Sequence, residues 1–118
     1  MIEIMDKKSE KGDEALKQML QSDGEIATTV ISLHEVLFGL YKYAKPVKEV
    51  LLLPILDYTK RDATLSGRIE FEAEEKGKPI RRTDAMIAAI AINNGAKLYT
   101  FDLKHFKPLE TFGLKLFP

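Results

Sequence analysis

The chain has 118 residues, 45% of them hydrophobic, with no cysteine and with 18 basic residues cancelling 18 acidic ones. That length fits one domain around one core. The lack of cysteine excludes disulfides, thiolate catalysis and Cys-ligated zinc, and the two histidines, far apart in sequence, offer no His-rich metal motif. Zero net charge excludes a general basic footprint for nucleic acid, so any such contact must come from a local patch. No apolar run approaches the roughly 20 residues that span a bilayer, and a cytoplasmic protein without a membrane partner is expected.

In chain order, Ile2 to Lys8 is expected as a short amphipathic helix and Asp13 to Gln21 as a clearer one, with Ala15, Leu16, Met19 and Leu20 on one face. Ser22-Asp23-Gly24 signals a turn, and Glu25 to Thr29 reads as a short β-branched strand. A helix follows from about Ser32, with Leu33, Val36, Leu37, Leu40 and Tyr41 lining a face. Ser32-Leu33-His34-Glu35 matches a capping box. Lys45-Pro46 breaks that helix, and Val47 to Leu52 continues as a short one.

Pro54 to Tyr58 is a candidate strand. Thr59 caps a helix over Lys60 to Lys76, and Gly77 stops it. An apolar helix then starts at Thr83-Asp84 and closes at Gly95. Lys97 to Thr100 is a strand, Asp102 to Phe106 a helical turn, and Leu114 to Leu116 a last edge strand.

Short apolar strands alternating with helices predict an α/β domain with a mostly parallel sheet, whose ligand crevice lies beyond the carboxyl ends of the strands. Thr28, Thr29 and Thr100 fall at such ends. Glu35 and Asp102 follow them, and Asp84 joins if its helix begins at the same edge. Three converging carboxylates suit a hard divalent cation, Mg²⁺ or Mn²⁺, which can activate water and stabilise the leaving oxygen of a phosphodiester. Each acid also has a purely structural explanation. Glu35 completes the capping box, Asp84 sits where a helix dipole favours acids, and Asp102 caps a turn. Arg81, Arg82 and Lys104 are candidates to seat a phosphate backbone, or are simply solvated, and Thr100 is a candidate hydrogen-bond partner for a carboxylate.

Ile31 to Leu40, Gly77 to Ile80, Thr83 to Ala89 and Leu98 to Phe106, taken in that order, resemble the PIN-domain ribonucleases of the VapC toxin type over nearly the whole chain. The resemblance implies a single PIN-like three-layer α/β/α domain over residues 1–118. It also implies a metal-dependent endoribonuclease of toxin–antitoxin type using Mg²⁺ or Mn²⁺, an RNA substrate, a homodimer and a cognate antitoxin. Glu35 and Asp84 match the family's metal-site acids, Asp102 the position that is Asp or Asn, and Thr100 a small hydroxyl residue beside them.

One departure is expected. Met1 to Met5 resembles the helix that follows the family's first strand, so that strand and its terminal aspartate read as missing. Asp6 and Asp13 lie too far into helical or loop sequence to replace it. The start is then either placed too late or belongs to a repurposed copy. Two functions follow: RNA hydrolysis impaired by the missing aspartate, or a catalytically weak module that binds an antitoxin or itself.

Overall fold

Strand β1 (Ile2–Met5) is the middle of a five-stranded parallel sheet in the computed structural model, which describes residues 2–5, 25–100 and 102–117. On one side it pairs with β2 (Glu25–Thr29), Ile4 opposite Ala27. On the other it pairs with β4 (Lys97–Tyr99), Ile4 opposite Leu98 and Met5 opposite Tyr99. The helix expected over Ile2 to Lys8 is therefore wrong for its first residues, and the first strand is not missing. Two flanking partners satisfy the N–H and C=O groups of an internal strand, whereas a helix this short must bear its full nucleation cost. The expected helix over Asp13 to Gln21, and the aspartates Asp6 and Asp13, lie outside the described residues.

Outside β2 lies β3 (Ile55–Leu56), and outside β4 lies β5 (Lys115–Leu116), so the order is β3-β2-β1-β4-β5. The chain steps from β1 out to β2 and β3, then crosses back to β4 and β5. Between β1 and β4 the direction of winding reverses, and it is beyond the carboxyl ends of such a pair that open α/β sheets place ligands.

Helix α1 (Val30–Lys42) starts directly on the end of β2. Its N-cap is Thr29, whose Oγ1 accepts from the Ser32 N–H at 3.0 Å. Ser32 is thus inside the helix, not its cap, and Glu35 is in the second turn. The capping-box explanation for Glu35 falls away. A short helix α2 (Lys48–Leu51) precedes β3.

Helix α3 (Lys60–Glu75) has the expected Thr59 cap, completed by Asp62 into a reciprocal capping box. Helix α4 (Arg82–Asn93) buries Ala85, Ile87, Ala88, Ala89, Ile90 and Ala91, apolar on nearly every side as a central helix must be. It forms one core with Ile69 of α3, Leu98 of β4, Phe106 of α5 (Leu103–Phe106), Leu109 of the 3₁₀ turn Lys107–Phe112, and Leu114. Gly95, at φ 62°, turns the chain from α4 into β4, a backbone conformation other residues resist. Among the described residues, no helix is long and apolar enough to cross a membrane.

Candidate functional site

The sheet edge at β4 and the start of α4 bring two sequence-distant acids to one cation. Asp84 is the third residue of α4 and is buried, 4% exposed. Asp102 is the N-cap residue of α5, just past β4. Arg81, the N-cap residue of α4, donates from Nε to Asp84 Oδ2 at 2.8 Å and from Nη2 to Asp102 Oδ2 at 2.6 Å. A planar guanidinium has its donors in a fixed fork, so one side chain can hold two carboxylates at a set spacing.

Asp102 is positioned from three directions. Its N–H donates to Thr100 Oγ1 at 2.9 Å, its Oδ1 meets His105 Nδ1, and its Oδ2 takes Arg81. Burial pushes its carboxyl up, but the hydrogen bond and charge of His105, with the charge and hydrogen bond of Arg81, outweigh this. The group sits below its ordinary value of 3.8. Arg81 is held above its ordinary value, first by the hydrogen bond to Asp84 and then, against desolvation, by the charges of both acids. Thr100 is buried at the strand end, as are Thr28 and Thr29 at the end of β2.

The structure thus brings Asp84, Asp102 and Thr100 together with Arg81. Glu35 is half-buried in the second turn of α1. Among the described residues, no group of three or more Asp, Glu or His side chains is close enough to hold a metal ion. The donors present are nonetheless of the hard-oxygen kind that Mg²⁺ and Mn²⁺ take. Asp84 and Asp102 also already share a positive charge, so the residues fit a cation there.

Arg82, expected beside Arg81 at an RNA backbone, points elsewhere. It forms a two-pronged ion pair with Glu70 of α3 at 3.1 and 3.2 Å. Lys104 is exposed on α5, two residues past Asp102.

Two features escaped the sequence. The bridging role of Arg81 reaches Asp102, 21 positions away, and has no local signature. Asp62 is 2% exposed and accepts from Asn93 Nδ2 at 2.8 Å, tying the start of α3 to the end of α4. Its signal was present as Thr59-x-x-Asp62.

Comparison with known proteins agrees with this fold. Residues 1–109 match the family model described as PIN domain. The chain is similar to Ribonuclease VapC2 of Haemophilus influenzae, 30% identical over 101 residues that cover 80% of the chain and 76% of the relative. It is similar to Ribonuclease VapC2 of Rickettsia felis, 31% identical over 105 residues, 83% of the chain and 78% of the relative. Among solved structures, VapBC2 from Rickettsia felis bound to a promoter DNA fragment superposes with a TM-score of 0.80 at 25% identity, covering 99% of this chain and 98% of that one.

Proposed function

Since the chain belongs to the PIN-domain family, and within it to the VapC ribonucleases of toxin–antitoxin systems, we propose that it is a divalent-metal-dependent endoribonuclease that cleaves RNA phosphodiester bonds. The observation that carries this reading is the convergence of Asp84 and Asp102 on one positive charge at the reversal point of the sheet. Asp84 and Asp102 hold Mg²⁺ or Mn²⁺, with Glu35 as a further acid of the site and Thr100 fixing the Asp102 backbone. When bound, such an ion supplies charge stabilisation at a phosphoryl oxygen and a more acidic water. Lys104, and Arg81 or Arg82 where free of their carboxylates, seat the RNA backbone as cations do at phosphates.

Asp6, the residue that follows β1 in sequence, is proposed as a further acid. It follows Met5 in sequence, and Met5 is opposite Tyr99, one residue before Thr100. The apparent loss of the first strand with its terminal aspartate motivated the reading as a module without hydrolysis. The presence of β1 in the sheet supports the hydrolytic reading over that module.

The solved VapBC relatives are complexes, which supports a cognate antitoxin as the protein partner. Phe38 and Tyr41 of α1 and Leu51 of α2, with Leu52 beside it, are exposed apolar side chains of the kind protein partners cover. The protein works as a homodimer in the cytoplasm.

The test is cleavage of structured RNA by highly purified protein, with Mn²⁺ or with EDTA. Wild type cleaves only with the ion, and Asp84→Asn and Asp6→Asn each lose about 100-fold or more, the scale of removing one preorganised electrostatic group. Undiminished cleavage in EDTA, or by Asp84→Asn, refutes the proposal.

A further inference from the structure

We infer that Arg81 is a resident counter-cation of the acid pair, which a divalent ion must displace from Asp84 and Asp102 in order to bind. The inference rests on the metal-site reading above and concerns a residue outside its ligand set. Three observations carry it. Both carboxylates present an Oδ2 to the same guanidinium, at 2.8 and 2.6 Å, so one oxygen of each acid is already engaged by a positive charge. Arg81 is itself 48% exposed, so it can leave without opening the core, whereas the Asp84 side chain is only 6% exposed and cannot turn away to solvent. Arg81 is also the N-cap residue of α4 yet makes no capping hydrogen bond with its side chain. Its side-chain hydrogen bonds given by the structure are the two to the acids themselves.

The consequence is an exchange of charge for charge. Two acids close to one another repel unless a cation sits with them. Arg81 supplies that cation from within the chain, and the fold does not depend on metal to hold the acids together. A divalent ion brings twice the charge and ligand geometry that a guanidinium lacks, but it must first break two charge-assisted hydrogen bonds. Arg81 thereby sets the ion concentration at which the site loads.

The opposite role, in which Arg81 props the acids open for the ion, predicts the opposite sign on removal. That separates the two. A merely structural arginine would also lower ion affinity when lost, because its loss loosens both ligands.

The experiment is calorimetric titration of Mn²⁺ into the full chain and into Arg81→Met, with urea midpoints in EDTA and in Mn²⁺ as a second readout. Arg81→Met should bind Mn²⁺ about tenfold more tightly, which corresponds to about 1.4 kcal/mol. It should also be less stable than wild type in EDTA and gain more from Mn²⁺. Arg81→Lys, which keeps the charge and loses the fork, covers the case in which the methionine variant fails to fold, and should tighten binding by a smaller factor. Arg82→Met removes the same charge one residue away, from the Glu70 pair, and should change the affinity less than about twofold. Unchanged or weaker binding by both Arg81 variants overturns the inference, and so does equal tightening by Arg82→Met. If neither wild type nor any variant binds Mn²⁺, the metal-site reading fails and this inference with it. If wild type binds and the Arg81 variants match it, only the inference fails.

Discussion

Asp62→Ala should cost the fold about 2–4 kcal/mol, although the residue is far from the acid pair. The carboxylate is 2% exposed. Its Oδ2 accepts from the Thr59 N–H at 2.9 Å and from Thr59 Oγ1 at 3.0 Å, and its Oδ1 accepts from Asn93 Nδ2 at 2.8 Å. Truncation removes one half of a capping box, worth about 1 kcal/mol. It also strands the Asn93 amide, a part-buried donor whose lost partner costs a further 1–3 kcal/mol or so. The sum is a large share of the roughly 5–15 kcal/mol that holds a domain together.

Urea unfolding with linear extrapolation measures it. Asp62→Asn should cost less, because one amide oxygen can serve Asn93 or Thr59 but not both. Asp62 meets Asn93, the last residue of α4, while Asp84 lies in its first turn nine residues away, about 14 Å along the axis. RNA cleavage measured well below the unfolding transition should therefore be unchanged. An Asp62→Ala variant within about 0.5 kcal/mol of wild type would show that the α3–α4 tie carries no weight, and the assignment of α4's anchoring would have to be abandoned.

Ile90→Ala, at a fully buried position of α4, should cost about 2–5 kcal/mol in the same assay. A cost under 1 kcal/mol would mean that this helix does not carry the core. Acid stability probes the other acid. Because the Asp102 carboxyl is depressed below 3.8 in the fold, it contributes stability that is present above that value and lost as the pH falls through its lower folded value. The urea midpoint of Asp102→Asn should accordingly fall less steeply than that of wild type below about pH 4, and identical slopes would contradict the Arg81 and His105 contacts.

The grouping of Asp84, Asp102 and Thr100 was legible because the acids lie where local rules put them. Asp84 follows a helix start, Asp102 follows a strand end, and parallel sheets gather such positions at one edge. The boundary errors came from residues that satisfy two rules at once. Thr29 and Ser32 are both good caps, and only the run of β2 to Thr29 decides between them. Ile2 to Met5 is too short for periodicity to separate helix from strand. Its conformation is decided by partners such as Ala27 and Leu98, which lie more than twenty residues downstream.

That one correction changes the functional argument more than its four residues suggest. A sheet lacking its first strand would leave β2 and β4 with open edges, and a domain of that kind reads naturally as a binding module. With β1 between them, β2 and β4 are both internal, and three strands end side by side. Helix α1 follows the end of β2, and Thr100 and Asp102 follow the end of β4, Asp102 already sharing Arg81 with Asp84. Two acids this close repel unless a cation joins them, and the described residues supply one in Arg81. With β1 in place, the fold thus carries its own countercharge for the acid pair Asp84 and Asp102.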